Sequence, residues 1–301
     1  QQWTTGATQK ESLKRNYSLY VPSQLKQPST PAPLVVMLHG CMQSADDFAK
    51  STRVNFKAEK LGFVVLYPEQ SSKDNPLRCW NWFKPENQAR QTGEAALIIE
   101  LIEKIKSQIP IDTKKIFVAG ISAGGAMAHN LGSCYPDIFS AVAVHSGVAY
   151  KSAESEAEAH QAMKSGSKYS AEQAAELTLK CSGQTQVAPL FVVSGSQDFI
   201  VNSANQTQLM EQTLATYDLL DNGKTDKSFT ANKQTSTISA QAPFRPYELT
   251  TVMTNQNQVI IKNIVVQGMG HAWSGGNSKV QFSVDKGPDV SEMMLDFFLH
   301  Q

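Results

Sequence analysis

The chain has 301 residues, 41% of them hydrophobic, with 27 Lys plus Arg balanced by 27 Asp plus Glu. That length and apolar content suffice for one α/β domain with a sizeable core, while the charge balance leaves no basic stripe for nucleic acid and no cationic face for a lipid surface. The longest apolar runs, "PLVVMLHG" and "GFVVLYP", fall far short of the roughly 20 residues that span a bilayer.

The N-terminal stretch "QQWTTGATQKES" starts with Gln and has neither a basic start nor an apolar h-region. Together with four cysteines, an even number suited to an oxidising compartment, it leads us to expect a secreted or periplasmic protein whose leader has been removed. Strands are then predicted at 15–22, 33–39, 62–68, 115–120, 139–147, 189–195 and 257–268, and helices at 46–62, 93–109 and 122–136. The middle strands are almost continuous Val, Ile and Leu, which implies burial on both faces of a mostly parallel sheet flanked by helices. Two stretches interrupt the alternation. Residues 151–181 are Ala- and Glu-rich and read as one or two inserted helices; residues 221–246 are polar and read as loop. Both are cap-like segments on a single domain over 1–301, since insertions after parallel strands sit over the ligand side of such sheets.

The strand "KIFVAG" runs into "ISAGGAMA", which places Ser122 between Gly120 and Gly124 in the pattern G-x-S-x-G. A serine at a sharp strand-to-helix turn is held exposed, and the following helix aims its free N–H groups at charge developing there. A serine hydroxyl needs a base. Of six histidines, His271 in the glycine-rich "GMGHAWSGG" after the last long strand is the candidate. His129, His145 and His160 read as structural, His39 as shaping its loop, and His300 as tail. The acid should fall between serine and histidine in the chain. Asp198 does so in "PLFVVSGSQDF", directly after a buried strand; Asp137, Asp218, Asp221 and Asp226 read as solvated surface. For the oxyanion, the donors are the N–H of Ala123 and that of Cys41 in "HGC", with Met42 as fallback.

With these residues placed, the chain resembles the polyhydroxybutyrate (PHB) depolymerase family of esterases, near the feruloyl and acetylxylan esterases of the α/β-hydrolase superfamily. The matching blocks are "LHGCMQSADDFA" (38–49), "FVVLYPEQ" (63–70), "CWNWF" (79–83), "GEAALI" (93–98), "VAGISAGGAMA" (118–128) and "VQGMGHAWSGG" (266–276). The resemblance implies a triad of Ser122, Asp198 and His271, an oxyanion hole at Cys41 and Ala123, and an ester substrate with no cofactor. A polyhydroxyalkanoate polyester or its oligomers is the leading substrate class; feruloylated or acetylated plant cell-wall sugars are the alternative. A serine peptidase would use the same triad, and a silent binding module would need none of it.

Trp273, two residues beyond the base, and Trp82 are the candidates for substrate contact, while Trp80 and Phe83 read as core. Topology selects among the three cysteine connectivities. Cys41 and Cys79 both follow C-terminal strand ends, whereas Cys134 lies about 15 Å down the helix from Ser122, near where Cys181 precedes a strand. The expected bridges are therefore Cys41–Cys79, clamping the oxyanion loop, and Cys134–Cys181. No cysteine or histidine spacing suggests a metal site. Two glycosylation sequons begin at Asn16 and Asn205.

Overall fold

The computed structural model describes residues 3–10, 13–25, 30–183, 186–228 and 232–301. Its main strands are β1 (Trp3–Lys10), β2 (Leu13–Tyr20), β3 (Ala32–Leu38), β4 (Val64–Glu69), β5 (Ile111–Ile121), β6 (Ala141–His145), β7 (Leu190–Gly195), β8 (Lys233–Ile238), β9 (Tyr247–Met253) and β10 (Val259–Val266). The helices are α1 (Ala45–Thr52), α2 (Val54–Leu61), α3 (Gly93–Gln108), α4 (Ala123–Cys134), α5 (Glu156–Ser165), α6 (Ala171–Ser182), α7 (Ala204–Asn222) and α8 (Val290–Leu299). The strands form one ten-stranded sheet in the order β1-β2-β4-β3-β5-β6-β7-β10-β9-β8.

β4, β3, β5, β6, β7 and β10 run parallel, and antiparallel strands extend the sheet at both edges. The alternation of a strand sorts the core into two layers. Leu34, Val36 and Val118 pack with Ile98, Leu101 and Met127 of α3 and α4. Val35, Met37 and Phe117 pack on the other face with Phe48, Val54 and Phe298 of α1, α2 and α8. Every residue of α4 is buried, so this helix runs through the middle of one layer.

The structure departs from expectation at several places, and it adds β1, β9, α7 and α8, where no element is expected. The helix expected over 46–62 is two helices, because Arg53 turns left-handed at φ 59° and its N–H closes on Ala49 O. The segment 221–246, expected as loop, contains β8, an edge strand exposed along its whole length; it offers no apolar face for the sequence to betray. Residues 229–231 of that segment lie outside the described residues. α7 carries no clean apolar stripe because it buries polar side chains whose amide N–H groups are bonded. Asn205 Nδ2 donates to Ala162 O, Gln206 Nε2 to Ile264 O, and Gln212 Nε2 to Thr178 Oγ1. The same burial removes Asn205 as a glycosylation site, whereas Asn16 is exposed on β2.

The insert 151–181 forms two helices, α5 and α6, started by Ser155 and Ser170 side chains that accept the Glu158 and Gln173 N–H groups. Cys134–Cys181 ties α6 to the end of α4, and Cys41–Cys79 ties the loop after β3 to the loop after β4.

Candidate active site

Ser122 joins β5 to α4 with φ 58° and ψ −123°, a conformation an L-residue holds only when its surroundings impose it. Close packing imposes it here. A Cβ at Gly124 would overlap the carbonyl oxygens of Leu38 and His39, and one at Gly120 would overlap the Gly124 carbonyl. Glycine on either side of the serine thus lets the start of α4 sit directly on the end of β3. The Ser122 N–H is held by His145 O at 2.9 Å.

Asp198 follows β7 and His271 follows β10, neighbouring parallel strands whose C-terminal ends lie side by side. Their loops are laced together: Ser196 N–H donates to Val266 O and Gln197 N–H to Met269 O, each at 2.9 Å. His271 Nδ1–H donates to Asp198 Oδ2 at 2.8 Å, with both side chains largely out of solvent. Asp198 Oδ1 accepts the N–H groups of Ile200 (3.0 Å) and Val201 (2.9 Å). Burial alone would raise this carboxyl. The His271 hydrogen bond and charge, the Val201 N–H and the Ser146 hydroxyl outweigh it, and the net shift is below the ordinary aspartate value. The Ser122 hydroxyl has no hydrogen bond to His271 in this structure, and such pairs commonly tighten only when substrate binds.

The N–H groups of Cys41 and Ala123 have no acceptor among the described residues, so both are available to an oxyanion. The fallback donor is excluded, because Met42 N–H is spent on Leu77 O at 2.7 Å. Buried His39 shapes this loop. Its Nδ1–H donates to Gly40 O at 2.7 Å, and its Nε2 accepts the Gln70 N–H at 3.0 Å. Burial holds its pKa below the usual histidine value.

Behind the loop lies buried Glu94, which Arg15, Gln70 and Asn81 all bond. This network fixes residues 70–82, and sequence reading missed it. The one available signal was a glutamate beside the apolar run "AALII" at the start of α3.

Ser122 and Ala123 line a cleft of about 490 Å³. One wall is the loop carrying Cys79, Trp80, Trp82 and Phe83; the other is α5, through Glu156, Ala159, His160 and Met163. The spacing i, i+3, i+4, i+7 marks a single helix face turned to the cleft, so the first insert does border the site.

Four sequence expectations need correction. Trp273 is not a substrate contact. It is 2% exposed in the core, its Nε1–H donates to Ser291 Oγ at 3.0 Å, and it stacks on His145. His160 is not structural but exposed in the cleft wall. Asp218 is buried, not solvated, and accepts the Lys227 N–H and Ser228 O–H. Phe83, read as core, is only partly buried and lines the cleft beside Trp82, while Trp80 is fully buried as expected. Among the described residues no group of three or more His, Cys, Asp or Glu is placed to hold a metal ion.

A serine on a strained strand-to-helix turn, with an acid and an imidazole after the next parallel strands of a helix-flanked sheet, defines the α/β-hydrolase class. Within that class the chain belongs to the Esterase PHB depolymerase family, whose pattern matches residues 15–234. It is 34% identical over 183 residues to poly(3-hydroxyalkanoate) depolymerase C of Paucimonas lemoignei, covering 60% of this chain and 44% of that one. It is also 34% identical over 133 residues to feruloyl esterase B of Thermothelomyces thermophilus, covering 44% of each. The chain thus spans less than half the length of these relatives. Among solved structures, acetyl xylan esterase from Aspergillus awamori superposes with a TM-score of 0.76 at 18% identity, covering 99% of this chain and 100% of the other. That similarity is one of fold.

Proposed function

We propose that the chain is a serine carboxylic-ester hydrolase working through an acyl-enzyme. The observation that carries this reading is the Asp198–His271 hydrogen bond of 2.8 Å in a protein whose Ser122 sits on a strained turn in the cleft. In the reaction, Ser122 Oγ attacks the ester carbonyl while His271 Nε2 takes its proton, and Asp198 holds the ring and stabilises the imidazolium. The N–H groups of Cys41 and Ala123 receive the developing oxyanion, each such donor being worth about 3–4 kcal/mol of barrier. His271 then protonates the leaving alcohol, and water, activated by the same histidine, releases the acid.

The substrate class we favour is a polyhydroxyalkanoate polyester or its oligomers. Support comes from exposed apolar side chains in the loops that carry the site residues, Leu77 lining the cleft itself. Met42, Leu77, Phe199 and Ile200 are 55%, 59%, 91% and 51% exposed, all next to or among the residues that form the site. Apolar side chains left in water near the site suit an apolar polymer better than a hydrated sugar chain. The two disulfides support a secreted or periplasmic location.

The test is hydrolysis of p-nitrophenyl butyrate by the native chain and by Ser122→Ala, followed by a panel of 3-hydroxybutyrate oligomers, feruloylated sugars and acetylated xylan. Ser122→Ala should lose at least about 10⁴-fold in kcat, in line with loss of the nucleophile from a triad. Equal turnover by the variant would end the proposal. Preference for the sugar esters would move the substrate to the plant cell wall while leaving the mechanism intact.

A further inference from the structure

β6 ends in two residues that the mechanism above does not use, His145 and Ser146. Together they reach both the nucleophile and the acid. The carbonyl of His145 accepts the Ser122 N–H at 2.9 Å, and its ring Nδ1 lies 3.1 Å from Ser146 Oγ. Ser146, held at φ 49° with its N–H on Val193 O, has its hydroxyl close enough to Asp198 to help lower that carboxyl. The His145 ring is buried and stacked on Trp273, with centroids 5.1 Å apart and planes 26° from parallel.

Hydrogen counting settles the direction of this chain. A carboxylate only accepts, so the Ser146 O–H points to Asp198. The Ser146 oxygen is then left as acceptor, and His145 Nδ1 must carry the proton that meets it. His145 Nε2 is then bare. Nothing among the described residues bonds it, which a buried N–H could not tolerate cheaply but an unprotonated nitrogen can.

Resting on the hydrolase reading, we propose that His145 and Ser146 are positioning residues: His145 Nδ1–H orients the Ser146 hydroxyl onto Asp198, which thereby holds His271 in register with Ser122. The pair extends the serine–histidine–aspartate chain by two links and anchors its far end to the backbone of the nucleophile itself. Burial, then the nearby charge of His271, lowers the His145 pKa to about 3, with Asp198 opposing. The ring therefore stays neutral wherever the esterase works and does not compete with His271 for the aspartate. The charged and titratable groups facing this cluster are Asp198 from the loop after β7, His271 from the loop after β10, His145 itself, and Arg245, whose Nη1 bonds Gly268 O ahead of His271.

The test measures kcat, KM and the pH profile of kcat/KM for p-nitrophenyl butyrate with Ser146→Ala, His145→Leu and His145→Asn, whose Nδ2–H stands where the ring Nδ1–H was. Removing a donor leaves Asp198 more basic, which favours the imidazolium, so the acid limb should move to higher pH. We expect Ser146→Ala and His145→Leu to lower kcat about 10-fold with KM within about 2-fold, as for other residues that orient a catalytic ligand. The acid limb should rise by about half a pH unit in both, and His145→Asn should restore most of each loss. An unchanged pH profile in Ser146→Ala overturns the proposal, as does a His145→Asn no better than His145→Leu. If His145→Leu does not fold, Ser146→Ala decides alone. A dead Ser122→Ala beside an unaltered Ser146→Ala sinks only this inference; an active Ser122→Ala sinks the hydrolase reading.

Discussion

On one side of the cleft, residues 70–84 are clamped by the Cys41–Cys79 bridge and by Glu94, whose carboxylate binds Arg15, Gln70 and both the side chain and backbone of Asn81. On the other side, α5 is held from outside by an exposed Lys168–Glu158 pair, and from within by the Asn205 amide on its last carbonyls and by small apolar contacts at Ala159 and Ala162. The difference maps onto the chemistry proposed above. Donors aimed at a transition state must not relax, because their worth lies in being fixed before charge develops. A wall that only meets substrate can give. The rigid wall adjoins the Cys41 N–H, and the softer one carries the cap.

Acid should test this contrast most severely. His129, which accepts the Tyr150 N–H at 2.8 Å, is pushed down by burial to about 4, and His145 to about 3. Both take up protons near pH 6.5 once unfolded. The unfolded chain therefore binds more protons between pH 6.5 and the folded values, and stability falls as pH drops through that window. The expected slope is about 1.4 kcal/mol per pH unit for each ring, with Asp198 adding its own loss below about pH 4. Urea midpoints should be flat from pH 8 to 7 and decline steadily below 6.5. A flat profile down to pH 5 would show that these rings are not buried neutral.

Glu94→Leu comes next. It takes from the fully buried Arg15 guanidinium its buried carboxylate, leaving it Asp74 and the Lys14 carbonyl, and should cost about 3–5 kcal/mol. Because the same carboxylate fixes the loop beside Cys41, turnover of even the smallest ester should fall as well. Full activity at 25 °C in a folded Glu94→Leu protein would show that the wall does not need its network.

The smallest effect belongs to α5. Ser155→Ala removes the hydroxyl that caps the Glu158 N–H and should cost no more than about 1 kcal/mol. KM for a hydroxybutyrate trimer should rise while kcat/KM for p-nitrophenyl acetate stays put. If both substrates suffer equally, the two walls are mechanically one.

Where the chain is buried and apolar, the sequence discloses it. Val35, Met37 and Val118 sit where continuous Val/Ile/Leu runs must, and G-x-S-x-G between a strand and a helix located the Ser122 turn. Asp198 and His271 were separately readable from their places after buried strands, and the structure joins them. Part of what stayed hidden is held by polar groups, whereas α8 stayed hidden although it buries Met294, Leu295, Phe297 and Phe298. α7 hides because Asn205, Gln206 and Gln212 are buried without looking apolar, and β8 because both its faces meet water. Trp273 was misplaced for a related reason. Proximity in sequence to His271 says nothing about which side of a turn a ring takes, and its N–H found Ser291 in the core.

The Cys134–Cys181 bridge closes a ring of chain that includes β6, α5 and α6. A protease that cut between α5 and α6, around the exposed Lys168, would produce two fragments that still travel as one molecule. The piece bearing Ser122 would remain shackled to the piece bearing Asp198 and His271 until a reductant freed them, so a nicked protein should run as two bands only on a reducing gel.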